Sequence, residues 1–396
     1  MSFTCDGVAI AETLAPKSAP DLAAALGATA ARGGAVLVRG GGSRLGIGNA
    51  LRRADAVLDV RGLDRLLELD ADEGVLHAEA GVPLMALRGP AAEAGWTVPL
   101  DPPGERTTVG GALASGVPGA CFAQPRDAVL GLSVALADGS LVKMGGRVVK
   151  NVTGYDLAKL FVGSFGALGV VTSAWIRLRP RPEAHAVLAA PLPADPRAVL
   201  DASRRPAVRA AVAVDAALAP RVLPDAAGAI LLLEVCGDAP AVDADRAALA
   251  DRIGAAPCEP MALARVRELL ASDGPEGDAL LALRVAVVPS AVPAACAALA
   301  AAGLAVVAQP ARGFVHARRT LPEGGADAAF VAALAAARSA AASGSGTFRV
   351  EAAPLAQRRG IDVFGDPAPH HRLLRRLKAE YDPGGVLNPG RFAGGL

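Results

Sequence analysis

Val38–Ala50 reads VRGGGSRLGIGNA, five glycines in a short span between an apolar run and a plain polar segment. Successive backbone N–H groups converge on an anion only where no Cβ blocks the approach and positive φ is open, so such a run is a candidate phosphate cradle. Three kinds of glycine loop compete for it. An ATP-type loop needs Lys and then Ser or Thr after its last glycine. Here Ile47 and Gly48 stand in those places, which removes that kind. The GxGxxG fingerprint fails at its third glycine in both registers, at Leu45 after Gly40 and Gly42 and at Leu51 after Gly46 and Gly48. It also needs a helix directly after the loop, and NALRRAD is too short and polar for one. Asp59 could imitate the ribose carboxylate of that motif, so a nicotinamide site stays open, as does a plain tight surface turn.

Composition sets outer bounds. A chain of 396 residues predicts two or three domains. Hydrophobic residues make up 52% and aromatics only 3%, which predicts a core of Ala, Val and Leu. A formal net charge of +1, without long Lys or Arg runs, gives no attraction toward phosphate polymers, so no nucleic-acid partner is expected. Cys5, Cys121, Cys236, Cys258 and Cys296 stand singly, with no CxxC pair for zinc or an iron–sulfur cluster. A reducing cytoplasm fits that usage. The opening MSFTCDGVAIAETLAP lacks the order of an export signal, and the most apolar window, Ala294 to Ala308, is too short for a span and is broken by Gly303. No direct membrane span is expected.

Along the chain, Ser18 to Arg32 reads as a helix, with Ser18 as N-cap, Pro20 in the first turn and Gly33–Gly34 as the stop. AVLVRG and AVLDV read as short strands on either side of the glycine loop, and LLELDADEGVLHAEAG as two strands about a turn at Asp72 to Gly74. Pro83 to Gly95 reads as a helix that Pro90 should kink or divide. VPLDPPGERTTVGGALASGVPG passes from prolines to small residues, which predicts a close approach to its backbone. DAVLGLSVALADGSLVKMGG reads as a hairpin, YDLAKLFVG as a short helix and LGVVTSAWIRLRP as a strand. Beyond the proline-rich 179–196, strand-like runs alternate with Ala-rich helical stretches, predicting a sheet with helices on one face.

The third kind of glycine loop wraps the pyrophosphate of FAD without a helix dipole. Four ordered blocks, VRGGGSRLG, PLDPPGERTTVGGALASG, GGRVVKNVTGYDLAKLFVGSFGALGVVTSAWIRLRP and EYDPGGVLNPGRF, resemble the vanillyl-alcohol oxidase/p-cresol methylhydroxylase (PCMH-type) superfamily of FAD proteins. Within it the wording VVKNVTGYDLAKLFVGSFGALGVV is most similar to the FAD-binding subunits of bacterial glycolate oxidases. The resemblance implies an α+β fold: a PCMH-type FAD-binding domain of two α/β subdomains over 1–182, a ferredoxin-like α+β domain over 183–369, and a helix and tail over 370–396 returning to the flavin.

The same resemblance implies the site. Arg39, Gly40, Gly41, Gly42, Ser43, Arg44 and Leu45 would face the pyrophosphate, Ser43 with its hydroxyl and Arg44 with its charge. Thr108, Gly110, Gly111, Ser115 and Gly116 match the second cofactor-contacting block. Gly163, Gly166, Gly169 and Val170 match the block that in relatives approaches the adenosine half. Asn388 falls where relatives return the tail to the ring, and it also suits a plain Asn-Pro turn. Lys150, Asn151, Tyr155 and Asp156 carry the subfamily wording, although Asp156 equally suits a helix cap. The loop lacks the histidine through which many relatives bind flavin covalently, so non-covalent FAD is expected.

The activity implied is oxidation of glycolate, a small 2-hydroxy acid, to glyoxylate, within a complex containing a larger flavin subunit and an iron–sulfur subunit. Its implied location is cytoplasmic, peripheral at the inner membrane through those partners. A self-sufficient FAD oxidoreductase and a non-catalytic flavin-fold scaffold remain alternatives. The chain departs from relatives that carry a histidine-rich metal site: His77, His185, His316, His370 and His371 are dispersed, and no metal is expected. No base or carboxylate clamp stands out. Arg312, Arg318 and Arg319 are the cations available to face an acid.

Overall fold

The computed structural model describes residues 3–122, 124–147, 156–271, 279–322, 326–365 and 371–396. Lys150, Asn151, Tyr155 and His370 lie outside them. The chain forms two compact units. The first comprises 1–119, 123–181 and 358–396, and the second 120–122 and 182–357.

In the first unit, the strands Glu12–Leu14, Ala56–Asp59 and Val36–Arg39 pair in parallel with Ala56–Asp59 in the middle. The helix Ala19–Ala31 packs beside them, and Ser18 caps it by accepting from the Asp21 amide. A five-stranded antiparallel sheet follows the order Leu141–Gly145, Val129–Ala135, Val170–Arg177, Val75–Glu79, Leu66–Asp70. The parallel strand Val36–Arg39 runs directly into the glycine run that shapes the site.

The helix that Pro90 is expected to kink or divide is not divided and runs over Leu84–Glu93. The missing Pro90 N–H would have served the carbonyl of Ala86, an exposed residue that water can satisfy, while buried Leu87 and Ala91 anchor both sides of the proline. The tail then returns to this unit. Lys378 is buried and donates to the carbonyls of Ala167 and Leu387 and to Asp382, and Asp382 accepts from the amides of Val386 and Leu387. Val36 in turn donates to the Val386 carbonyl, so the tail docks along the strand that feeds the glycine loop.

The second unit is built on one eight-stranded sheet, ordered Ala256–Pro257, Ala184–Pro191, Ile230–Gly237, Val208–Val214, Ala305–Gln309, Phe314–Thr320, Leu280–Ala286, Thr347–Ala352. Helices cover both faces of its first half, against the expectation of one. Along Ile230–Gly237 the side chains of Leu231, Leu233 and Val235 pack with the helices Pro196–Ser203 and Ala239–Ile253. The alternate Ile230 and Leu232 pack with Met261–Leu269. A strand apolar on both sides needs cover on both sides.

On the same sheet Glu234 receives two hydrogen bonds from Arg209, at 2.7 and 2.6 Å, and lies 3.0 Å from His185 Nε2. Burial pushes the carboxyl up, but Arg209 and His185 outweigh it and hold it down at about 2. A folded value below the ordinary 4.5 means that the stabilisation is complete above about pH 4.5 and is lost as pH falls through about 2. The non-titrating E234Q variant is expected to lose ~3 kcal/mol less stability than the parent across that window. Urea unfolding midpoints taken at stepped pH check this.

Candidate cofactor site

The glycine loop closes over the second small-residue block. A Cβ on Gly41 would overlap the Arg106 carbonyl, and one on Gly40 would lie 2.5 Å from Thr108 Oγ1. These two glycines are bare because the protein's own backbone leans on them. Gly42 has φ +78° and its Cβ position meets nothing nearer than Arg39 Nε at 3.5 Å. The cleft so formed is lined by Gly40–Leu45, Thr108, Gly111, Ser115, Phe165, Asn388 and Arg391.

Side chains in this cleft mostly shape it. Thr107 Oγ1 donates to the Pro103 carbonyl, so Ser43 Oγ donates in turn to Thr107, 3.0 Å away. The Ser43 proton is thereby spent on the wall. Arg44 donates to the same Pro103 carbonyl. Thr108 caps the helix Val109–Ser115 by accepting from the Gly111 amide, and Ser115 donates to Ala112. What the loop offers an anion is its run of main-chain amides, with the buried and unpartnered Nε of Arg39 behind them. The donor set suits a diphosphate. The volume, about 90 Å³, is that of a phosphate bridge and lies below the ~300 Å³ at which whole small-molecule pockets begin. The purine and ring ends of a dinucleotide therefore extend past it.

The tail fixes the loop from behind. Asn388, at φ +46°, accepts from the Val38 amide at 2.8 Å and donates to the Phe165 carbonyl at 2.7 Å. Arg391 is buried and donates to the carbonyls of Leu45 and Ile47 and to Asp6, while its own carbonyl accepts from Asn49. Sequence reasoning overlooked Arg391 and Asp6. The arginine of NPGRF was the available signal, since an arginine following a turn that must dock is positioned to bind carbonyls.

The remaining expected residues serve packing around the cleft and do not line it. The Gly110 Cβ position abuts Ala80, Gly116 ends its helix at φ +60° against Gly163, Gly166 lies beneath Asn388, and Gly169 fits against Val134 and Phe161. Val170 begins a central strand. Asp156 pairs with Lys159 at 3.0 Å. Asp59, the alternative ribose carboxylate, accepts two bonds from Arg61 Nε at 2.9 and 3.1 Å and one from its terminal nitrogen at 2.6 Å. Burial raises its carboxyl, but Arg61 holds it below the usual range and already occupies it, which removes the nicotinamide reading.

A separate charged cluster sits within the second unit. His316, Arg284 and Arg349 are direct cross-strand partners, and Glu351 joins them. Arg349 donates to Glu351 at 2.8 Å, Arg284 Nε lies 3.3 Å from it and His316 Nδ1 3.6 Å. Burial would raise Glu351, yet Arg284, His316 and Arg349 hold it well below the carboxylate range. Among the described residues, the buried Nε2 of His316 has no partner. Arg312, expected to face an acid, instead holds the carbonyls of Ala120, Cys121 and Phe122, and Arg318 and Arg319 hold those of Leu269 and Ala302. The cluster escaped the sequence because its members are far apart in the chain and meet only through strand register.

Because Gly41 leans on backbone, G41A must open the loop, whereas Gly46 has nothing within 4 Å of its Cβ position. G41A is expected to bind FAD at least roughly tenfold more weakly and G46A within about twofold of the parent. Titration of the chain with FAD, followed by flavin fluorescence, decides between them.

Residues 10–145, about a third of the chain, match the FAD binding domain family. The chain is 40% identical over 161 residues to a D-lactate dehydrogenase of Archaeoglobus fulgidus, covering 40% of this chain and 36% of that protein. It is 36% identical over 154 residues to glycolate oxidase subunit GlcE of Escherichia coli, covering 38% and 43%, and 35% identical over 159 residues to glycolate oxidase subunit GlcD of Bacillus subtilis, covering 38–39% of this chain in both cases and 34% of the latter. The matches thus span less than half the length of these relatives. An alkyldihydroxyacetonephosphate synthase, solved in two crystal forms, shares the fold over 95% of this chain and 76% of its own, with a TM-score of 0.65 at 15% identity. Residues 10–145 thus match an FAD binding domain, with FAD as the cofactor, in a chain whose fold is that of the synthase.

Proposed function

We propose that this chain is the FAD-binding subunit of a complex that oxidises glycolate, or a closely related small 2-hydroxy acid, to the 2-oxo acid. The observation that carries the reading is the amide-lined cleft closed by Arg391 and Asn388, within a domain matched by glycolate oxidase and D-lactate dehydrogenase relatives. Gly40–Leu45 would hold the diphosphate non-covalently, and Asn388 and Arg391 keep that loop in shape. Bound FAD supplies the two-electron acceptor for an alcohol carbon. The chain's five single cysteines offer no ligand set for an iron–sulfur cluster, so electron exit by that route calls for a partner subunit beside a larger flavin subunit.

One observation favours a second reading, self-sufficient turnover. His316 Nδ1 lies 3.6 Å from Glu351 and, among the described residues, its buried Nε2 has no hydrogen-bond partner, so a ligand there gains a hydrogen bond. The excess of guanidinium over carboxylate around it suits an acid substrate.

Anaerobic addition of glycolate or D-lactate to the FAD-loaded chain separates the two. Bleaching of the flavin only after the partner subunits are added supports the complex. Bleaching of the chain alone supports self-sufficiency. No bleaching with or without partners refutes the oxidation itself.

A further inference from the structure

We propose that the first unit carries a second anion site, separate from the cofactor cleft, that takes a phosphate-bearing small molecule of the nucleoside diphosphate class. The site is a cavity of about 810 Å³, within the size range of small-molecule pockets. None of its lining residues lines the glycine-loop cleft. Among the described residues, Arg52, Arg358, Arg359 and Arg375 line it against one carboxylate, Asp362.

The charges there are unequally engaged. Arg358 is held by Asp6 and the Gly48 carbonyl, and Arg359 donates to the Asp6 carbonyl. Asp362 accepts from Asn49 and from the amides of Phe364 and Gly394. Among the described residues, the side chains of Arg52 and Arg375 have no hydrogen-bond or carboxylate partner. Two planar guanidiniums brought to one cavity from positions far apart in the chain suit the several oxygens of a phosphate group. Val8, Leu51 and Ile361 supply an apolar wall for an attached base.

The cavity is built around bare backbone. A Cβ on Gly390 would lie 2.6 Å from Arg52 Cγ, one on Gly395 would lie 2.6 Å from its guanidinium, and one on Gly394 would overlap the His371 ring. The glycines of the tail thus let the stem of Arg52 and the ring of His371 lie flat against the chain. The wall behind them is the reverse side of the glycine loop. Asp6 binds the Leu51 amide, Arg358 and Arg391 together, and Arg391 holds the Leu45 and Ile47 carbonyls. The cavity wall and the cofactor loop thus share Asp6, and any coupling between an anion here and FAD must be reciprocal.

The experiment is calorimetric titration of ADP, AMP and inorganic pyrophosphate into the FAD-loaded chain, and into R52A/R375A, whose altered side chains are both exposed. Saturable binding of ADP is expected, weakened roughly tenfold or more in the double variant with the flavin spectrum retained. Equal binding of pyrophosphate alone would assign the site to phosphate without the base. Absence of ADP binding, unchanged affinity in the double variant, or displacement of ADP by FAD would overturn the proposal. The same titration on the chain without FAD keeps this outcome apart from any failure of the cofactor reading.

Discussion

The contact of one carbonyl with one bare α-carbon governs the first unit. Arg106 presses its carbonyl where a Cβ of Gly41 would be, and the Thr108 hydroxyl crowds the same position at Gly40. Loop and second block can approach only because both positions lack side chains. That approach creates the concave run of amides, places Ser43 against Thr107, and gives Arg44 its carbonyl partner at Pro103. Close packing of this kind tolerates no added methyl without backbone movement. A preformed cradle also spares a bound diphosphate the cost of ordering the loop.

Charge is handled differently in the two units. In the first, buried Arg391, Arg358 and Asp6 satisfy one another and the carbonyls of the loop, so burial yields rigidity. In the second, guanidiniums collect about Glu234 and Glu351, and the Glu351 group keeps one imidazole nitrogen unpaired. Buried groups that satisfy each other specify a shape, whereas an orphaned one marks a place where a ligand can gain a hydrogen bond.

Much of the first unit was legible in the sequence because its signals are local. Ser18 and Gly33 bound a helix, VLVR and AVLD are short aliphatic strands, and the glycine spacing alone removes the ATP-type loop. The roles of single glycines were less legible. Gly110, Gly116, Gly166 and Gly169 are small to admit neighbouring chain, a reason that spacing cannot distinguish from room for a ligand. Arg391 and the group of His316, Arg284, Arg349 and Glu351 were not legible, since tail docking and sheet register create them. The cover on both faces of the first half of the eight-stranded sheet was missed for a similar reason. An unbroken apolar run in Ile230–Gly237 reads as a buried strand without saying that both its faces need helices.

The order of synthesis adds a constraint of its own. Asn388 and Arg391, which complete the cleft, follow the whole of the second unit in the chain, while the glycine loop precedes it. A nascent chain can form its parallel strands early, but the loop they lead into stays unclamped until the ribosome has passed the second unit. Cofactor capture thus becomes a late maturation step, and a chain stalled within the second unit would leave the ribosome with an open, flavin-free cradle.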